Sequence, residues 1–161
     1  MIDLTAAPAN TPTSAPTRST ASATPQSTTE SSPSPAARPC QIEGTWELDL
    51  AVTGGLAGVD RKLELDQTGK YEAADLRQDA KVEGNLAPEL MGDVVGLLQG
   101  FCKSPETARP PACADCFLYS LQVTLQGVHF ELELNDLNVM ETPAGELVAF
   151  MSQLLNSALE G

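Results

Sequence analysis

The sequence predicts an α+β fold, an antiparallel sheet of four to five strands covered on one face by two helices. Segments that alternate apolar and polar residues predict the strands, and two segments with apolar residues at helical spacing predict the helices. The expected order is strand, strand, an optional third strand, helix, strand, strand, helix (ββ(β)αββα).

The first strand is predicted from Ile42 to Val52, where even positions are apolar or glycine and Trp46 lies on the buried face. A second strand contains Leu63 and Leu65, and a third, optional strand covers residues 70–76 after a turn at 66–69. Residues 77–85 are expected to be a polar connection.

A helix follows, with Pro88 suited to its first turn. Its apolar residues are Leu86, Leu90, Met91, Val94, Leu97, Leu98 and Phe101. Next comes a hairpin of residues 117–125 and 128–134 around the two-residue turn Gln126-Gly127. The last helix is expected to open at Pro143, with Thr142 as its cap.

Composition divides the chain into a tether, residues 1–39, and a single α+β domain, residues 40–161. All but five of residues 5–39 are Ser, Thr, Pro or Ala, so we expect this segment to be disordered. Such tracts are common as tethers in exported proteins. No signal peptide is visible, so we expect that an export signal, such as that of a lipoprotein with its lipid anchor, was removed.

The net charge of the chain is −13, and the domain, residues 40–161, carries all of it. Nucleic acid and anionic membranes are poor partners for such a surface. The sequence has no apolar run long enough to span a membrane. We expect an extracytoplasmic monomer, secreted or tethered to the cell envelope.

The four cysteines predict two disulfides. The expected pairs are Cys102 with Cys113, which bracket a proline-rich loop, and Cys40 with Cys116, which each open a predicted strand. The alternatives are a four-cysteine zinc site, because Cys113 and Cys116 form a CxxC, and a redox role for that motif, which lacks the usual βαβ context.

Catalytic residue patterns are sparse, so we expect no enzyme and no cofactor. The only histidine, His129, is predicted on the solvent face of a strand, and no serine lies in a nucleophile-elbow context. The glycine-rich segment lacks the lysine and the helix start of a phosphate loop.

Two loops remain distinctive. The first, Gly54-Gly55-Leu56-Ala57-Gly58 followed by Val59, carries a large apolar side chain that a hairpin does not need. Leu56 either folds back on the core or is presented to a partner. The second loop ends at Asp115, which either caps a turn or carries function.

These motifs resemble the emfourin family of bacterial protein inhibitors of protealysin-like metalloproteases, in the thermolysin group. The similar parts are Gly54–Gly58 with Arg61 after it, the Asp115-x-Phe117-x-Tyr119 strand entry and Leu134-Asn135-Asp136 before a terminal helix.

The resemblance implies inhibition of an extracytoplasmic zinc metalloprotease by two neighbouring loops. Asp115 would ligate the protease's zinc and Leu56 would enter its substrate pocket, with Ala57 and Val59 as lesser contacts. The alternative is a tethered surface or lipoprotein binding module for another ligand.

Overall fold

The computed structural model describes residues 42–103 and 109–161. The predicted tether and Cys40 lie outside these residues. The fold is α+β, as predicted, but its antiparallel sheet has six strands, in the order β4-β3-β2-β1-β5-β6.

The strands form three consecutive hairpins along the chain, although the third is separated from the others by a helix. Their bounds are β1 Trp46–Gly54, β2 Val59–Asp66, β3 Lys70–Asp75, β4 Ala80–Asn85, β5 Phe117–Leu125 and β6 Val128–Asn135. The β5–β6 turn is Gln126-Gly127, as predicted. Both of its residues have positive φ (50° and 80°), as a tight hairpin turn of this kind requires.

Strand β4 corrects the prediction that residues 77–85 form a polar connection. Among the described strands it pairs only with β3, at the edge of the sheet, and its side chains are exposed or half-buried. Its sequence alternates apolar residues or glycine (80, 82, 84) with polar ones (81, 83, 85), but Val82 is its only large apolar residue, so the pattern is weak. Lys81 and Glu83 on its open face are typical of a protected edge.

The helices are α1, Pro88–Lys103, and α2, Gly145–Glu160. Pro88 opens α1, as predicted. The predicted start of α2 is wrong, because a short 3-10 turn, Val139–Glu141, precedes it and Ala144 occupies the N-cap position. The Thr142 hydroxyl donates to the carbonyl oxygen of Val139 instead of capping the helix.

Both helices contribute to a core on one face of the sheet. The predicted even-numbered residues of β1 from Trp46 to Val52 are buried there, opposite Leu121 and Val123 of β5. Helix α2 packs against β1 to β4, and α1 packs against α2. The other face carries mainly charged side chains, for example Lys62 between Asp49 and Glu64.

Candidate functional site

Four connections meet at one end of the sheet, which we call the loop end. They are the β1–β2 loop (55–58), the β3–β4 turn (76–79), the segment before β5 (109–116) and the β6–α2 connection (136–144). The register fixes this arrangement, because Gly54 at the end of β1 pairs with both Val59 and Phe117. The antiparallel topology therefore brings the two loops singled out in the sequence to the same end.

The β1–β2 loop presents Leu56 to solvent. Gly54, Gly55 and Gly58 have φ of +94°, +65° and +62°, values that favour glycine. The N–H of Gly58 donates to the carbonyl oxygen of Gly55 at 3.0 Å. The Leu56 side chain is 92% exposed, so the alternative in which it folds back on the core is wrong.

Arg77 braces this loop from the β3–β4 turn. Its Nη1 donates to the carbonyl oxygen of Ala57 and, at 2.7 Å, to that of Gly58. Asp75 holds the β3–β4 turn itself, because its Oδ1 accepts from the N–H groups of Arg77 and Gln78 at 3.1 Å each. Sequence reasoning missed Arg77, because nothing local to residue 77 indicates a contact with residues 57 and 58.

Asp115 lies in a small ring closed by a disulfide between Cys113 and Cys116, whose Cα atoms are 5.7 Å apart. Its side chain is exposed. The ring limits the conformations that residues 114 and 115 can adopt. The carboxylate is thus presented at the surface by a constrained segment.

This disulfide corrects both predicted pairings. Cys102 does not pair with Cys113, and Cys116 does not pair with Cys40, because Cys113 and Cys116 are bonded to each other. Cys102 is buried in α1 instead. A four-cysteine zinc site is also inconsistent with this bond, because disulfide sulfurs are not thiolate ligands.

The glycine loop and the disulfide ring touch through their backbones. The N–H of Gly55 donates to the carbonyl oxygen of Cys116 at 3.1 Å. A Cβ added at Gly54 would lie 2.7 Å from the same oxygen, and one at Gly55 would lie 2.7 Å from the Phe117 ring. At Gly54 the close atom is a backbone atom, so glycine permits this approach, whereas at Gly55 a side chain would require the Phe117 ring to shift.

Asp136 and Asn135 anchor the disulfide side of the site to the end of β6. The Asp136 carboxylate accepts from the Phe117 N–H at 2.9 Å and from the Tyr119 hydroxyl at 2.8 Å. Burial, together with the bond to Asp136 and its charge, raises the pKa of Tyr119 to about 12, so the hydroxyl remains a donor. The buried Asn135 donates from Nδ2 to the carbonyl oxygen of Pro111 at 2.7 Å.

The loop end also collects exposed apolar side chains. Among the described residues, nine large apolar side chains are exposed, and six of them lie in the four connections or in the first two residues of β5: Leu56, Leu76, Phe117, Leu118, Leu137 and Met140. A concentration of exposed apolar groups at one end of a domain is typical of a protein-binding surface. The sequence singled out only Leu56 for exposure, because isolated apolar residues in connections carry no periodic signal.

The remaining chemistry of the described residues is limited. Within 42–103 and 109–161, no group of three or more His, Cys, Asp and Glu side chains is placed to hold a metal ion. The exposed His129 interacts with the Thr124 hydroxyl at 3.3 Å. The two described helices have 16 residues each, and neither has the length and hydropathy of a membrane span.

In comparisons with known proteins, no protein-family model matches this chain, and no curated protein matches it.

Proposed function

We propose that this protein inhibits thermolysin-like zinc metalloproteases through its loop end. In this proposal Asp115 ligates the catalytic zinc of the protease, and the glycine-rich loop places Leu56 in the substrate pocket. The observation that supports it best is the hydrogen bond between Gly55 and Cys116, which holds two exposed loops side by side. The roles of the two loops follow the emfourin-like inhibitors that the sequence resembles.

Zinc ligation by Asp115 is chemically reasonable. A catalytic zinc has three protein ligands and an open position that water or substrate fills, and a carboxylate oxygen can take that position. Asp115 is exposed, and its four-residue ring is closed by the disulfide. Because the ring is already constrained, binding costs less ordering entropy than it would for an open loop.

Leu56 suits the apolar contact. A leucine side chain gains about 1.5–3 kcal/mol when it moves from water to a fully buried site, and Leu56 is almost fully exposed before binding. The bonds from Arg77 to Ala57 and Gly58 hold the loop open without help from a partner. Ala57, which is exposed, and the half-buried Val59 provide smaller contacts at its edge.

The net charge and the disulfide of this protein are compatible with a protease partner outside the cytoplasm. The net charge of −13 favours a partner with a basic or metal-bearing surface over one with an acidic surface. Disulfides persist in oxidising compartments, which is compatible with a secreted protein or one tethered to the cell envelope.

A second candidate function is a tethered binding module for a protein other than a protease. The exposed Leu137 and Met140 favour it, because they extend the apolar surface beyond the two loops that the inhibitor proposal uses. Inhibition assays separate the two candidates, since a binding module would leave protease activity unchanged.

The test is inhibition of a panel of thermolysin-like proteases, including a protealysin-like one, by the full chain. Asp115→Asn keeps the size of the side chain but removes its charge, and Leu56→Ala removes the apolar contact. We expect each to weaken inhibition by roughly 30-fold, the loss of about 2 kcal/mol typical of a central contact.

Matched controls come from α1, at a distance from the loop end. Asp93→Asn and Leu90→Ala change exposed side chains of the same types and are expected to leave inhibition unchanged. An unaffected Asp115→Asn variant would overturn zinc ligation. If the wild-type chain inhibits no protease of the panel, the inhibitor proposal is wrong and the binding-module function takes its place.

A further inference from the structure

A pocket of about 270 Å³ lies on the helix-covered face, between the second half of α2 and the ends of β1, β2 and β5. Its apolar wall consists of Val52, Val59, Phe117 and Leu155. The volume is near the lower end of the range of small-molecule sites, so it can take a small ligand or one side chain.

Ser152 lines this pocket and brings an unusual polar group to it. Its hydroxyl oxygen is buried and has no hydrogen-bond partner among the described residues. Buried polar groups in proteins nearly always have partners, and a serine in a helix can normally use a carbonyl of the preceding turn. Because this oxygen has almost no accessible surface, the Ser152 side chain would rotate to meet the polar atom of a ligand, which would then supply the partner.

Arg61 provides a second polar group in the pocket wall. Its Nε donates to Asp75 Oδ2 at 3.0 Å, and its Nη1 donates to Asn156 Oδ1 at 2.9 Å. These bonds fix the guanidinium in place and use two of its five N–H donors. No hydrogen bond within residues 42–103 and 109–161 uses the other three, and Arg61 lines the pocket, so we expect them to donate to an acceptor there.

The surrounding charges decide which acceptor fits. Asp75 balances the charge of Arg61, and Glu160 adds a negative charge to the lining. The protein as a whole carries −13. An anionic ligand is therefore repelled, whereas a neutral oxygen can accept from Arg61 without that cost.

We infer that this pocket binds a neutral ligand that carries a phenol group. The apolar ring would lie against Val59 and Leu155. The phenol oxygen would accept a hydrogen bond from Arg61, and the phenol O–H would donate to the Ser152 hydroxyl oxygen. Such a group comes either from a small molecule or from a tyrosine side chain of a bound protein. The inference does not depend on the proposed inhibitory function.

The test is an NMR titration of the full chain with p-cresol, toluene and p-toluate. We expect p-cresol to shift the backbone resonances of Ser152 and Leu155 and to bind about tenfold more tightly than toluene, the difference that one well-placed hydrogen bond supplies. The carboxylate of p-toluate should weaken binding below that of p-cresol.

Ser152→Ala isolates the polar contact. It should reduce the preference for p-cresol over toluene to within about twofold, while Ser157→Ala, an exposed serine of the same helix, should keep it. Thermal unfolding monitored by circular dichroism checks that both variants are folded. The inference is overturned if toluene binds the wild-type chain as tightly as p-cresol, if neither shifts these resonances, or if the folded Ser152→Ala variant keeps the full preference.

The source of the phenol group is distinguished by adding saturating p-cresol to the protease inhibition assay. Weaker inhibition would assign the pocket to a tyrosine of the protease, and unchanged inhibition would show that no tyrosine of the protease occupies it. The NMR titration needs no protease, so it tests the pocket even if the protein inhibits no protease.

Discussion

The backbone N–H of Gly55 donates to the carbonyl oxygen of Cys116 at 3.1 Å, and this bond joins the glycine loop to the disulfide ring. It continues the β1–β5 ladder one residue past the pairing of Gly54 with Phe117. The relative position of Leu56 and Asp115 is therefore set by the sheet register, and a change in either loop backbone is transmitted to the other.

Replacement of Gly54 by alanine should destabilise the domain more than replacement of Gly127. Both glycines have positive φ, +94° and +80°, so either alanine costs roughly 1–2 kcal/mol in backbone strain. At Gly54 the new Cβ also meets the Cys116 carbonyl oxygen at 2.7 Å, whereas at Gly127 it meets no atom of the described residues within 4 Å. The excess should be at least about 1 kcal/mol, measured by urea unfolding.

Equal destabilisation by the two alanines would show that β1 and β5 move apart at no cost. In that case the close contact between Gly54 and Cys116 would not determine the position of the loops.

Removal of the Arg77 side chain should weaken inhibition with little loss of stability. Arg77→Ala deletes the bonds to the carbonyl oxygens of Ala57 and Gly58, so the loop that carries Leu56 must be ordered on binding. Because Arg77 is exposed, the free energy of unfolding should fall by less than about 1 kcal/mol. NMR relaxation should show a lower order parameter for the Leu56 N–H.

Lys103→Ala is the matched control, since Lys103 is an exposed cation at the end of α1. It should leave both the inhibition constant and the order parameter of Leu56 unchanged. An equally rigid loop in Arg77→Ala would contradict the bracing role.

Loss of the disulfide should affect the site more than the fold. The ring spans only four residues, so the chain-entropy model gives a stabilisation of about 2 kcal/mol. We expect the double variant Cys113→Ser, Cys116→Ser to remain folded and to inhibit less well, because the Asp115 segment loses its constraint. If inhibition is unchanged, the ring does not preorganise Asp115.

Strands with one buried face were predictable from the sequence, because burial imposes period-two alternation. Trp46 to Val52 in β1 and the hairpin around Gln126-Gly127 follow this rule. Strand β4 was missed, because its alternation spans only six residues and Val82 is its only large apolar side chain.

The candidate site was predictable in part. Three glycines in five residues indicated the β1–β2 loop, and the topology placed it beside the Asp115 loop. The disulfide pairing was not predictable, since four cysteines allow three connectivities and spacing does not choose among them. The contacts of Arg77 and Asp136 could not be predicted either, because each joins residues about 20 positions apart and depends on the register of the strands.

Asp75 should make the domain sensitive to acid. Desolvation raises the pKa of its carboxyl, but hydrogen bonds from Arg61, Gln78 and Arg77 outweigh this, and the pKa falls below its ordinary value of 3.8. A carboxyl with a depressed folded-state pKa stabilises the fold fully above the unfolded-state pKa. That stabilisation is lost as the pH falls from about 3.8 through the folded-state value.

Asp75→Asn should therefore lower Tm at pH 7, and its difference from the wild type should shrink as the pH is lowered below about 3.8, the ordinary pKa of the carboxyl. The physical reason is that the amide accepts from only one atom, so it cannot replace both the pair with Arg61 and the two backbone bonds of the turn. Asp93→Asn, at an exposed position of α1, is the control and should follow the wild-type curve. Parallel curves for Asp75→Asn and the wild type down to pH 2.5, roughly a unit below that ordinary pKa, would show that Asp75 is not the linked group.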